Sequence, residues 1–304
     1  MSAAARSEAS LPGRGARRLL IAVPFAWLGL FFALPFLRVL AISFSEPVIA
    51  QPPYQALFAW NADGQLVLQA TLASYRLIAA DLLYLKAYGH SIEVAFGAAV
   101  GCLVLGYPMA YALTRVARAW RGLALLLIVL PFWTSFLLRV YAWIGLLSNH
   151  GTINNGLLAL GLIDHPLTLL KTDFAVYLGI IYAYLPFMIL PLYASLEKLD
   201  RSLLEAAADL GCRPLRAFFT ITLPLSLPGV IAGFALVFIP ALGEFVIPDL
   251  LGGADTLMIG RVLWEEFFAN RAWPVASALA VLMLALVSAV MALQSWLQRR
   301  GQLT

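Results

Sequence analysis

Long apolar stretches separated by short polar ones set the plan of this chain. About 20 predominantly apolar residues cross a bilayer as a helix. On that rule the chain holds about six spans, at 19–44, 89–113, 122–148, 173–195, 226–250 and 275–297. Span 2 opens with the polar pair Ser91 and Glu93. Span 5 is interrupted by Pro240, Gly243, Glu244 and Pro248. Between spans 4 and 5, where a short loop would suffice, lies a charged segment from Glu197 to Pro224.

That segment has its own helical grammar. Ser202-Leu203-Leu204-Glu205 has the spacing of a capping box, which predicts a helix starting at Ser202. Leu199, Leu203, Ala206 or Ala207, and Leu210 recur on one face. Gly211 is placed to end the helix in the left-handed region, and Pro214 to open a second at its first position. Leu215, Phe218 and Phe219 give the second helix an apolar face, and Pro224 and Pro228 divide it from span 5. Two short helices joined at a glycine, apolar on one side, are expected to lie parallel to the membrane and to present a surface to another protein.

Composition agrees with the spans. Of 304 residues 62% are hydrophobic and 12% charged, against about 25% charged in soluble domains. The net charge of +4 sits beside apolar spans, where topology accounts for it, so no nucleic-acid partner is expected. Lys and Arg are enriched in cytoplasmic loops. Arg6, Arg14, Arg17 and Arg18, Arg115, Arg118 and Arg121, Lys198, Arg201, Arg213 and Arg216, and Arg299 and Arg300 all fall on one side of a six-span chain. The opposite loops hold Arg76, Lys86, Lys171, Arg261 and Arg271. The expected layout is a cytoplasmic tail at 1–18, a membrane domain at 19–297 with a cytoplasmic loop at 196–225, and a cytoplasmic tail at 298–304.

The first apolar run is too long for the core of a signal peptide and reads as an uncleaved span. The first dozen residues, rich in Ala and Ser, read as disordered. Cys102 and Cys212 fall at different depths and are not expected to pair. His90, His150 and His165 lack metal-ligand spacing. In the outer loops, aromatic residues cluster from Tyr75 to Tyr88. In the stretch 251–274, Ile259, Val262, Leu263 and Phe267 recur at helical spacing. That stretch reads as a cap over the bundle, or as an amphipathic piece at the outer interface or in a vestibule.

The polar segment carries a resemblance. Glu205-Ala206-Ala207, three residues, Gly211, nine residues, Ile221, one residue, Leu223-Pro224 is similar to the EAA loop of ABC importer permeases. The resemblance implies an all-α integral membrane protein of type I ABC importer permease architecture in the bacterial inner membrane. It implies that this loop docks on a separate ATPase, with Glu205 and Gly211 central and Ala207 and Asp209 near the contact. The alternative for Glu205 is a purely local role in the cap. No G-x-x-x-x-G-K-[ST] occurs in the chain, so ATP and Mg would be bound by the partner, and this chain is not expected to be an enzyme.

The C-terminal third extends the likeness. Phe238-Ile239-Pro240-Ala241-Leu242-Gly243-Glu244-Phe245-Val246-Ile247-Pro248, Leu250 to Gly253, Met258 to Phe268 and Arg271 to Ser277 resemble polyamine permeases, putrescine importers first and spermidine/putrescine importers next. Those systems pair two different permease chains with two ATPase copies and a periplasmic binding protein, and work by alternating access. Candidate pathway residues are Glu244, Asp249 and Glu93, since acids at membrane depth face a cavity or a partner, with Trp264 and Trp273 as cation–π faces. Backbone carbonyls freed between Pro240 and Pro248 are further candidates. Glu244 or Glu93 would otherwise pair with Arg38 or Arg139, at similar depth. Rival readings are an importer of another small solute, such as an organic cation or a ferric chelate, and a stand-alone secondary transporter. The latter would be expected to show more helices and inverted repeats. An intramembrane enzyme would need paired catalytic residues, and none are found.

Overall fold

The computed structural model describes residues 14–60 and 65–301. Arg6, the Ala- and Ser-rich start and the last three residues lie outside them. In chain order come α1 (Arg14–Leu28), α2 (Leu34–Ser43), α3 (Ala73–Ala80), α4 (Leu82–Arg115), α5 (Arg118–Val129), α6 (Phe136–Leu147) and α7 (Thr152–Ala159). Then follow α8 (Asp173–Glu197), α9 (Ser202–Asp209), α10 (Pro214–Ala217), α11 (Leu223–Leu242), α12 (Val246–Leu251), α13 (Ile259–Trp264) and α14 (Trp273–Gly301). Among the described residues the strands form a single antiparallel ribbon, β1 (Phe58–Trp60) with β2 (Leu66–Leu68). Among the described residues five helical runs are long and apolar enough to cross a membrane, and a bent pair, Arg118–Trp133 with Phe136–Ala159, makes a sixth if the pair is one span. The chain is an all-α membrane protein.

The chain divides into two compact units, residues 1–75 with 272–281, and residues 76–271 with 282–304. In the first, α1 and α2 run into each other through a π turn, Gly29–Ala33, and along the apolar stretch Ile21–Ser43 only the last residue, Ser43, is buried within the chain. Ser43, at the end of α2, hydrogen-bonds the Tyr75 hydroxyl at 2.8 Å.

The second unit is built on α4, α8 and α11, which pack on one another. Lipid offers no hydrophobic drive between helices, so close approach of small residues must supply the contact. Ala95, Ala98, Ala99 and Cys102 of α4 are fully buried. At Gly229 of α11 a Cβ would lie 2.8 Å from the Pro191 carbonyl of α8, so the backbones touch there. Polar ties inside this seam join Tyr107 of α4 to Ser226 of α11, hydroxyl to hydroxyl at 2.8 Å, and the Cys102 thiol of α4 to the Ile181 carbonyl of α8 at 3.6 Å.

Two spans differ from the apolar count. The run 122–148 is not one helix but two, bent by 87°. After a 3-10 turn, Leu130–Trp133, Thr134 becomes extended. Its hydroxyl donates to the Pro131 carbonyl at 2.7 Å, occupying the acceptor a further helical turn would use. The run 226–250 is likewise not one span. Helix starts at Pro214 and continues to Leu242, then breaks at Gly243–Phe245 before α12. Pro224 and Pro228 do not divide it, contrary to the sequence reading. A π turn, Phe218–Thr222, absorbs the prolyl ring that would otherwise meet the carbonyl four residues back.

The polar segment forms α9 from Ser202, but not through a capping box. The Ser202 backbone N–H donates to Asp200 Oδ1 at 3.0 Å, which holds the Asp200 carboxyl below its usual range. Glu205 takes no part in the cap. At the other end Gly211 has φ +75°. Its N–H reaches the Ala208 carbonyl, and the Cys212 N–H reaches Ala207, both at 2.9 Å. This is the Schellman closure.

Two outcomes follow from this packing. Gly229→Val forces α11 off α8 and lowers unfolding stability by about 1–3 kcal/mol, read as a fall in the melting temperature of the detergent-purified protein. Gly211→Ala costs about 1–2 kcal/mol at the left-handed position. Nothing crowds its Cβ, so the loss is local and appears as faster amide exchange over 207–212 with the bundle unchanged.

Candidate functional site

Two regions concentrate the polar chemistry, and α11 connects them. The first is the segment of α9 and α10. Glu205 is exposed, and its side chain forms no hydrogen bond or ion pair among the described residues. Ala206 and Asp209 are also exposed, while Ala207 is buried against the bundle. Ile221 and Leu223 are half-buried and anchor the start of α11, with Pro224 outward. Leu210 is 88% exposed and Leu215 75%. With Leu203 and Phe219 they leave an apolar surface on this segment that the described residues do not cover.

The segment is tied to the bundle by arginines whose role the sequence reading missed. Arg201, just before α9, donates to the Thr114 carbonyl at the end of α4 at 2.9 Å. Arg121 donates to the same carbonyl at 3.2 Å and pairs with Glu197 of α8 at 3.1 Å. Cations at a helix C-terminus meet its free carbonyls and the negative end of its dipole. The sequence marked these arginines only as topology signals, since their partner is a backbone atom far along the chain.

The second region is the break after α11. Glu244 is 7% exposed. One carboxylate oxygen accepts the Val246 N–H at 3.1 Å and the Ile247 N–H at 3.4 Å, capping α12. The other accepts the Tyr184 hydroxyl at 2.5 Å. Within its own unit Glu244 forms no ion pair among the described residues, with Arg139 or any other cation. The carbonyls of Gly243 and Glu244, expected to face a cation, are instead covered by Gly260 of α13, whose Cβ position lies 2.6 Å from the Glu244 oxygen. The outer stretch caps the bundle: Ile259 and Val262 are buried, and the Ser91 hydroxyl accepts the Ile259 N–H at 2.7 Å.

Glu244 opens on a cavity of about 520 Å³ lined by Phe132, Phe136, Tyr184, Phe187 and Phe245, and by Arg139. The 87° bend is what brings Phe132 and Phe136 to one wall. Tyr184 was not singled out from sequence. It lies in an unbroken apolar run, and no local pattern signals its partner 60 residues on.

The other candidates do not join Glu244 in this cavity. Asp249 lies 3.5 Å from Arg261, which also meets Glu265 at 3.0 Å. Trp264 stacks on Phe245, centroids 4.8 Å apart. Glu93 is open to solvent and lines a separate cavity of about 610 Å³ with Lys86, His90 and Asp255. His90 sits between Glu93 and Asp173, 3.9 and 3.8 Å away. Trp273 belongs to the other unit, where its ring lies 6.1 Å from Tyr54. Among the described residues no cluster of His, Cys, Asp and Glu has the makings of a metal site.

Comparison with known proteins fits this arrangement. Residues 94–301 match the family described as "Binding-protein-dependent transport system inner membrane component". The chain is 42% identical over 272 residues to the spermidine/putrescine transport system permease protein PotB of Escherichia coli, covering 89% of this chain and 93% of that one. It is 38% identical over 265 residues to PotB of Haemophilus influenzae, covering 87% and 88%. In fold it resembles a chain of a bacterial ABC transporter involved in the import of the acidic polysaccharide alginate, with a TM-score of 0.66 and 16% identity over 94% of this chain and 96% of that one. The chain therefore belongs to the binding-protein-dependent transport system inner membrane component family, as a multi-pass inner-membrane permease related to the spermidine/putrescine permeases.

Proposed function

We propose that this chain is one of two different permease subunits of an ATP-driven importer of polyamines, putrescine first. Spermidine, another organic cation or a ferric chelate are the remaining cargoes for such a chain. The observation that carries the reading is the buried Glu244 carboxylate, held in an aromatic cavity at a helix break without a protein cation on it. A dication crossing a low-dielectric layer needs such a group. The carboxylate supplies the charge, Tyr184 and the α12 backbone hold it in place, and aromatic faces contribute about 0.5–2 kcal/mol per cation. The likeness to permeases named for spermidine and putrescine supports the same cargo.

In this proposal both termini and the α9–α10 segment are cytoplasmic. Glu205, Gly211 and the exposed leucines around them dock on a separate ATPase, present in two copies with its own ATP and Mg. A periplasmic polyamine-binding protein delivers the cargo to the outer loops. Closure of the ATPases pushes α10 and hence α11, and switches the cavity between the two sides. The chain itself carries out no covalent chemistry. Asp249, Glu93, Trp264 and Trp273 are approach residues in this scheme, outside the Glu244 cavity.

The tests separate the two regions. Labelled putrescine uptake is measured in cells lacking other polyamine importers and expressing the complete transporter. Uptake should vanish when this chain alone is omitted, and its absence from cells holding an assembled, ATP-hydrolysing complex would refute the cargo. Glu244→Gln should raise the KM for putrescine by about tenfold, roughly 1.4 kcal/mol, with assembly intact, and an unchanged KM removes Glu244 from the pathway. Glu205→Gln should leave α9 folded, because Asp200 supplies its cap, while cutting uptake and stimulated ATP hydrolysis together by about tenfold or more. Equal rates in that variant would leave Glu205 no docking role.

A further inference from the structure

We infer that Arg139 is a tethered counter-ion for Glu244, which an incoming substrate ammonium must displace, an inference that rests on the polyamine reading above. Arg139 lies on α6 inside the bent span, and a charge at such depth is costly unless it is paired. Yet its guanidinium forms no ion pair among the described residues, and its Nε is buried without a hydrogen-bond partner. The guanidinium rests instead over Phe132, 5.4 Å from the ring centroid, and Phe136, at 5.7 Å. Those are the distances at which a ring face attracts a cation. Arg139 therefore has a resting place on two aromatic faces of the cavity when it is not paired.

The acid in the same cavity has a matching vacancy. A carboxylate offers about four lone-pair sites. Three donors already take up Glu244: the Tyr184 hydroxyl and the N–H groups of Val246 and Ile247. One further donor can be received, from Arg139 or from the substrate, but not from both. The cavity holds one cation and one anion, so an empty transporter can close it neutral by swinging Arg139 from the rings to Glu244. When an ammonium takes Glu244, Arg139 returns to Phe132 and Phe136, the position it has in this structure. Arg139 is thus a specificity-setting residue, keeping small adventitious cations off the acid and weakening the apparent affinity by the fraction of time it holds Glu244.

The experiment replaces the tether and then restores the charge chemically. Arg139→Cys is introduced into the complete transporter in a Cys212→Ser background, Cys102 being fully buried, and labelled putrescine uptake is measured against the same background. The KM should fall, by about tenfold if Arg139 holds Glu244 nine-tenths of the time. Treatment with 2-aminoethyl methanethiosulfonate then transfers an aminoethylthio group to the new thiolate, forming a mixed disulfide and releasing methanesulfinate, and should return the KM to its starting value. Methyl methanethiosulfonate, which adds no charge, should leave it low. With Glu244→Gln present, the cysteine substitution should no longer lower the KM.

An unchanged or raised KM in Arg139→Cys, or equal effects of the charged and neutral reagents, overturns the counter-ion role while leaving the cargo standing. No putrescine uptake by the parent transporter overturns both. Should the cysteine variant fail to assemble, Arg139→Gln and Arg139→Lys are read in its place. A lowered KM in the first with a parental KM in the second supports the role, and any other pair of values refutes it.

Discussion

Inside a bilayer no water is available to a broken helix, so each backbone group freed at a break must find a partner within the protein. The second unit is organised around that constraint. Where the third span bends, Thr134 takes the Pro131 carbonyl. Where the run from Pro214 ends, Glu244 takes the first N–H groups of α12. The constraint thus places a carboxylate at depth for a structural reason, and function can act on the same group. Glu244 caps a helix and faces a cavity at once, and its two oxygens divide that labour.

The same economy holds at the other end of α11. Asp200 and Gly211 close the ends of α9 with backbone hydrogen bonds, which leaves Glu205 and the exposed leucines free of structural duty. Arg201 and Arg121 fasten the segment to the last carbonyls of α4. A surface that must be held in place yet remain available is built by satisfying its backbone completely and its outward side chains not at all.

Apolar length revealed the membrane-crossing runs, and the spacing from Glu205 to Pro224 revealed the family. Gly211 was legible because a left-handed cap tolerates little else. The misreadings share one cause. Ser202 and Glu205 satisfy the capping-box spacing, but Asp200, two residues before Ser202, takes the Ser202 N–H instead. Pro224 and Pro228 look like stops until a π turn relieves the first of them. Thr134 carries no mark of a bend, since its effect depends on a hydrogen bond to Pro131. Tyr184, and the sharing of one carbonyl by Arg121 and Arg201, arise from packing between α4, α8 and the segments beside them. No local pattern encodes such distant contacts. Glu244 was visible as an acid in an apolar run, but its lack of an ion-pair partner was not.

The uninterrupted run from Pro214 to Leu242 has a geometric consequence. At 1.5 Å per residue it is roughly 40 Å long, with the polar segment at one end and the Glu244 break at the other. A rod of that length, pivoted at the end beside α9, moves its far end by roughly 3.5 Å for about 5° of tilt. That displacement exceeds the 2.5 Å hydrogen bond between Tyr184 and Glu244. Tyr184 stands on α8, a different helix. A small rotation at the membrane surface therefore suffices to separate the acid from its tyrosine, and the number of donors on the Glu244 carboxylate becomes a function of angle.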